Sequence, residues 1–230
     1  MIDLIKNDDI SCLVLFGSHA TNEADKESDI DLLGINTSTL RTVRENGKVN
    51  LSLYSLDELM RMAQSGNIFL LHVLLEGICI YNSKMFDNLK ESFKYKDNYD
   101  IDIATAFYLA NTIFREKDNI SNWMIANKRI SWCVRTILIS VSVHNRKPVF
   151  SKSKLALSCI NVGLDYESSF SLIDAKSNKK RNDKVLNYLN VFLNYYNNYN
   201  EEIKNSRFSS GIVISTLDSI FKSPSFYDEL

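Results

Sequence analysis

Three short apolar runs open the chain, and each has the period of a strand rather than of a helix. Residues 11–16, Ser-Cys-Leu-Val-Leu-Phe, are almost continuously apolar and stop at Gly17, the pattern of a strand buried on both faces. Residues 29–35, Asp-Ile-Asp-Leu-Leu-Gly-Ile, predict a second strand, and residues 48–54 alternate apolar and polar as a third. At Ser55 the period changes. Ser55-Leu56-Asp57-Glu58 is a capping box leading into Leu59 and Met60. Residues 67–76 predict a second, buried helix, and Gly77–Tyr81 a short return strand.

Beyond about residue 95 the strand signals cease, and helices are expected near 100–116, 120–144, 152–162, 183–204 and 209–222. In the fourth of these, Val185, Leu189, Phe192, Tyr196, Tyr199 and Ile203 recur at alternating spacings of 4 and 3. Such a stripe is a seam, and within a bundle it is more often core than oligomer interface. The pattern therefore predicts an α/β domain over residues 1–96, a small mixed sheet with helices, followed by an all-α helical bundle over residues 97–230.

Composition changes this picture little. Apolar residues make up 45% and charged residues 24% of the 230, as in an ordinary globular protein, while 7 Gly and 2 Pro leave no room for long structureless linkers. The net charge of −1 gives no overall basic footprint for nucleic acid. Its distribution is uneven: residues 1–100 hold 10 Lys/Arg against 16 Asp/Glu, residues 101–230 hold 17 against 12. Either the two halves differ by chance, or the second supplies positive charge to an anionic ligand. Cys12, Cys79, Cys133 and Cys159 are scattered, mostly within apolar runs, which argues for a reducing cytoplasm and against disulfides or a zinc site. No apolar h-region follows Met1, and the stretch Ile68–Tyr81, broken by His72 and Glu76, is too short to cross a bilayer, so neither a secretory signal nor a membrane partner is expected.

The candidate chemistry lies between the first two strands: Leu15-Phe16-Gly17-Ser18, ten residues, then Asp29-Ile30-Asp31-Leu32. A period of two places Asp29 and Asp31 on one strand face, about 6–7 Å apart. Two like charges so held repel, and a divalent cation reverses the penalty; Mg²⁺ favours a few carboxylates together with phosphate oxygens. Gly17-Ser18 closes a strand and opens a turn into a helix, where N–H groups can cradle a phosphate. A phosphate-binding turn beside a metal-binding strand is equipment for transfer at phosphorus.

With these residues in place, the chain resembles the polymerase-β nucleotidyltransferase superfamily, in particular its minimal nucleotidyltransferases. The resemblance is carried by Gly17-Ser18-His19-Ala20 and Ser28-Asp29-Ile30-Asp31-Leu32-Leu33. It implies a Mg²⁺- or Mn²⁺-dependent transfer of an NMP, most simply AMP from ATP, to a hydroxyl. Asp29 and Asp31 would hold the metal, with Gly17 and Ser18 on the nucleotide. The family's third carboxylate, on the neighbouring strand, falls here on Asn50, with Ser52 next on the same face. An amide can offer an oxygen to a metal but cannot take a proton at neutral pH. Glu45, Asp57, Glu58 and Glu76 are the alternative carboxylates.

A second, looser similarity joins Trp132-Cys133-Val134-Arg135-Thr136-Ile137-Leu138 and Lys147-Pro148-Val149-Phe150-Ser151-Lys152-Ser153-Lys154-Leu155-Ala156 to the helical domain of aminoglycoside adenylyltransferases. It implies that Arg135 and Lys152, with Lys154 in reserve, contact the nucleotide's phosphates. The acceptor is left open: a partner protein in a bacterial toxin–antitoxin or defence module, a small molecule such as an antibiotic, or RNA. A homodimer or hetero-complex also stays open. The alternative reading is a catalytically degenerate nucleotide- or partner-binding protein, favoured by Asn50. His19, His72, Trp123, Trp132 and the basic cluster Lys176, Lys179, Lys180 and Arg181 read more simply as bystanders, packing residues and a solvated loop.

Overall fold

A computed structural model describes residues 10–24, 26, 28–36, 42–199 and 211–221. By contacts the chain divides into two units, Met1–Asp97 and Asn98–Leu230. The first is built on a five-stranded mixed sheet. Its strands are β1 (Ile10–Phe16), β2 (Ile30–Asn36), β3 (Thr42–Asn46), β4 (Val49–Ser55) and β5 (Ile78–Tyr81), in the spatial order β3-β4-β2-β1-β5. Only the β2–β4 pair is parallel. β3 is an element the apolar pattern does not announce, because Val43 is its one aliphatic residue; the Asn46-Gly47 step that joins it to β4 is the hairpin signal.

β1 and β2 are largely apolar on both faces because both are covered. β4 alternates, with Leu51 and Leu53 on one face and Asn50, Ser52 and Tyr54 on the other. On one face Cys12, Val14, Leu33, Ile35 and Tyr54 pack with Leu59, Ala63, Leu70, Val73, Leu74, Phe86 and Leu89. Those partners come from α1 (Leu56–Gln64), α2 (Ile68–Glu76) and α3 (Ser83–Glu91). Each helix starts on a side-chain cap: Ser55 Oγ accepts from the Glu58 N–H at 3.1 Å, Asn67 from Leu70 at 3.0 Å and Asn82 from Met85 at 3.2 Å. Phe69 of α2 sits edge-on to Phe16, with ring centres 5.6 Å apart, and 6.1 Å from Tyr54, clamping the helix over β1 and β4. The other face carries Leu13, Leu32, Leu51 and Leu53.

The second unit is helical: α4 (Asp100–Arg115), α5 (Trp123–His144), α6 (Lys152–Ser158), α7 (Tyr166–Ile173), α8 (Asp183–Tyr195) and α9 (Gly211–Phe221). α5 is its axis, burying Ala126, Ile130, Cys133, Val134 and Ile137 in one cluster with residues of α4, α6, α7 and α8. Buried polar groups on α5 fasten neighbouring segments: Asn127 Nδ2 donates to the carbonyls of Asn178 and Lys180, both at 2.9 Å, and Ser131 Oγ to that of Ile173. The predicted seam is core, with Val185, Leu189, Phe192 and Tyr196 all buried. Ile203 lies outside the described residues. The expected 152–162 helix is α6 continued by a single 3₁₀ turn, and α7, capped by Asp165, was not foreseen. Among the described residues no helix is long and apolar enough to cross a membrane.

Candidate functional site

Backbone register fixes which residues meet at one end of the sheet. Phe16 of β1 pairs with Asp31 of β2, Asp31 with Asn50 of β4, and Asn50 with Glu45 of β3. Cross-strand partners share a face, so a row runs across four strands with Asp31 at its middle. Asp31 shares its face with Leu33 and Ile35, whose side chains lie under the helices. It occupies the end of that face, where it is only half-buried.

Two contacts define the surroundings of Asp31. Asn50 Nδ2 donates to Asp31 Oδ1 at 3.2 Å. Gly17 presses on the same carboxylate: a Cβ added there would lie 2.9 Å from Asp31 Oδ2, and its φ of +74° belongs to the left-handed region. Glycine is thus required twice, by backbone conformation and by close approach. The expected helix after Gly17-Ser18 is a correction. Gly17–His19 forms one 3₁₀ turn, and the chain continues in turns through Asn22, with the N–H groups of Ala20 and Thr21 donating to the Gly17 carbonyl. His19 braces this turn, its Nε2 donating to the Ser28 carbonyl at 3.3 Å, one residue before Asp29. A second correction concerns Asp29. Strand β2 starts at Ile30, so Asp29 stands exposed just outside it and its placement on the Asp31 face rests on the strand's extrapolation.

The alternative carboxylates separate clearly. Asp57 and Glu58 occupy the first turn of α1. They lie past Ser55, the far end of β4, five strand steps or about 16 Å from Asn50. Glu76 is engaged by His72 one turn earlier, with Nε2 to Oε2 at 3.1 Å, which explains a carboxylate inside an apolar helix. Glu45 alone holds a register position beside Asn50. Among the described residues no three His, Cys, Asp or Glu side chains are grouped to hold a metal. The oxygens brought together here are those of the Asp31 carboxylate and the Asn50 amide. That set suits a hard divalent cation, which takes few protein carboxylates when phosphate completes its shell.

Arg135 and Lys152 belong to the helical unit. Arg135 is half-buried on α5. Lys152, the first residue of α6, donates from Nζ to Asp174 Oδ1 at 2.6 Å, an ion pair whose side chains are 32% and 25% exposed. Asp174 was not singled out in the sequence, since nothing in its spacing marks it as the partner of a residue 22 positions away. The basic loop is braced in the same way: Arg181 binds Asp118 and Asp183, both at 2.8 Å, and lies 5.7 Å from the Trp123 ring centre. Its hydrogen bond holds the exposed Asp118 carboxyl below the usual carboxylate range.

Residues 2–85 match the model of the family "Polymerase beta, Nucleotidyltransferase". Among solved structures the chain is similar to a nucleotidyltransferase-like protein from Exiguobacterium sibiricum 255-15, 12% identical, with a TM-score of 0.32 over 95% of this chain and 86% of that one. No curated protein matches the sequence. The matched residues span the sheet, the Gly17-Ser18 turn, Asp29, Asp31 and Asn50, so the likeness to the polymerase-β nucleotidyltransferases lies in the first unit of the chain.

Proposed function

We propose that the protein transfers a nucleoside monophosphate, AMP by first choice, from an NTP to a hydroxyl group with the help of Mg²⁺ or Mn²⁺. One observation carries the reading: the Asp31 carboxylate is held between the Gly17 backbone and the Asn50 amide at adjoining strand ends. Asp29 and Asp31 hold the cation, with Asn50 able to add a neutral oxygen if its amide turns over. When bound, the cation supplies neutralisation of charge on the phosphoryl oxygens. The Gly17-Ser18 turn binds the triphosphate through backbone N–H groups. Arg135 and Lys152 are proposed phosphate ligands on the similarity of the helical half.

In the reaction the acceptor oxygen bonds to the α-phosphorus as the bond to the bridging oxygen breaks. Pyrophosphate leaves, and the hydroxyl proton passes to a base. Asn50 cannot be that base. The candidates are Glu45, next in the register, and a group brought by the acceptor, whether a partner protein, a small molecule or RNA. The test is transfer of label from each of the four α-labelled NTPs into cell lysate fractions, with Asp29→Ala/Asp31→Ala as the blank. Label that moves in the blank as in the parent removes the assignment.

A second reading has its own observation. The Asn50 amide donates to the carboxylate that would ligate the metal, so the pair satisfies itself without one. On this reading the domain binds nucleotide or a partner, as an antitoxin or defence component would, and does not turn over. Nucleotide binding without label transfer in any fraction distinguishes it.

A further inference from the structure

The helical unit holds a cavity that the transfer reaction does not use. It measures about 470 Å³ and is lined by Ile125, Lys128, Arg129 and Trp132 of α5 and Thr216 and Ser219 of α9. The four α5 residues fall at i, i+3, i+4 and i+7, one stripe along the helix. In a bundle such a stripe is ordinarily apolar and buried. Here two of the four are cations, and the Trp132 ring is left 38% exposed. The apolar face of α5, with Ala126, Ile130, Cys133, Val134 and Ile137, is a different one and is already filled.

One further observation points to an anion. Neither Lys128 nor Arg129 forms an ion pair with a carboxylate among the described residues, whereas Lys152 and Arg181 of the same unit do.

We propose that this cavity binds a mononucleotide, independently of metal and of Asp29 and Asp31. The chemistry is complementary throughout. An adjacent Arg and Lys supply a fork and a point charge for one phosphate. The exposed indole offers a face on which a base stacks, with little demand on which base. A cavity of this size lies in the range that encloses small ligands. An uncharged aromatic leaves the two cations unanswered, and inorganic phosphate leaves the indole exposed, so both parts of a nucleotide are needed. The excess of basic over acidic residues in the second half of the chain, 17 to 12 within residues 101–230, favours an anion there.

The test uses the full chain with Trp123→Phe, so that Trp132 alone reports, in EDTA and with Asp29→Ala/Asp31→Ala to remove metal-dependent nucleotide binding. AMP is titrated against adenosine and inorganic phosphate, followed by tryptophan quenching and by calorimetry. The expected result is saturable AMP binding at least tenfold tighter than either half-molecule, weakened at least tenfold by Lys128→Ala/Arg129→Ala. Calorimetry should show the same loss for Trp132→Leu. If the double variant loses its cooperative melt, Lys128→Gln at an exposed position replaces it, with a threefold or greater loss expected. The proposal fails if AMP does not saturate at millimolar concentration, if adenosine or phosphate binds as well as AMP, or if the cavity variants bind AMP like the parent. Because the catalytic carboxylates are absent throughout, its failure leaves the transfer reading untouched, and the converse holds.

Discussion

The two units use charge in opposite ways. In the α/β unit the recorded neighbours of Asp31 are an amide and a glycine backbone, set against it by strand register. In the helical unit Lys152 closes on Asp174, and Arg181 on Asp118 and Asp183, so these cations answer carboxylates and fasten loops. Exposed and partly exposed ion pairs of this kind contribute little to stability. The contrast favours chemistry at the sheet end and a fastening role for Lys152 and Arg181.

The hardest test of that assignment is Asp31→Ala. It should lower the rate of label transfer by roughly 10³-fold or more, equivalent to about 4 kcal/mol of transition-state stabilisation, while the thermal midpoint changes little. A rate within tenfold of the parent would move the chemistry away from the sheet end.

Burial, unlike charge, acts alike in both units, and the thiols show it. Desolvation pushes Cys12 of β1 up to about 12 and Cys159 of the bundle up to about 11, and raises Cys133 as well. The reactive species is the thiolate, so a thiol raised by two units from 9.0 presents about a hundredth of the usual amount. A disulfide reagent at pH 8 should therefore label native Cys159 about 10²-fold and native Cys12 about 10³-fold more slowly than the urea-unfolded chain. The sign for stability follows: the protonated thiols belong to the folded state, so their contribution is full below pH 9 and is lost as pH rises from 9 toward 11 and 12. Equal labelling rates in folded and unfolded chain would show these sites to be open.

Glycines at positive φ separate strain from function. Gly17, at φ +74°, meets Asp31, whereas Gly163 of the bundle, at φ +91°, has nothing within 4 Å of an added Cβ. Both Gly→Ala changes should cost about 1–2 kcal/mol through backbone strain, read from urea midpoints. Only Gly17→Ala should also cut transfer, by roughly 30-fold or more, because its methyl displaces the carboxylate. If both variants keep their activity, the close approach at Gly17 serves packing alone.

Asn50→Asp sharpens the same site with a gain. It restores an acidic residue at the register partner of Asp31. Transfer should rise about tenfold, the lower range for a proton acceptor being about 10²-fold, and the metal-free thermal midpoint should fall by a few degrees from like-charge repulsion and recover on adding Mg²⁺. A variant no more active than the parent makes Asn50 a ligand in its own right, or places the base on the acceptor.

What the sequence disclosed follows from how local each signal is. Strands β1 and β2 are visible because both faces are buried and few polar residues interrupt them, and β4 because Val49, Leu51 and Leu53 alternate with Asn50 and Ser52. Ser55 declares its helix by a cap three residues long. The Asp31–Asn50 juxtaposition was legible only through the family resemblance, whose third acidic position falls on Asn50. Strand β3 was hidden because an edge strand with one aliphatic residue reads as a loop, and α3 because its cap, Asn82, adopts φ +61° outside any recognisable box. Asp29 sits one residue before its strand, a boundary error of the size that end effects produce. The Lys152–Asp174 pair and the α5–α9 cavity depend on helices meeting in space, which a one-dimensional pattern does not encode.

The finest test asks whether Lys152 belongs wholly to the structural side of the comparison. Its ion pair with Asp174 is short but partly exposed, so a triphosphate with several charges competes with one carboxylate on favourable terms. Asp174→Asn removes the competitor and keeps the shape. Stability should fall by no more than about 1 kcal/mol, and the KM for NTP should drop about threefold with kcat unchanged, the pattern of uniform binding. Lys152→Ala should raise that KM in turn, and Asp174→Asn should then have no further effect, since the two act through one charge. If Asp174→Asn loosens the bundle while KM stays where it was, the ammonium group is a fastener like Arg181 and not a phosphate ligand.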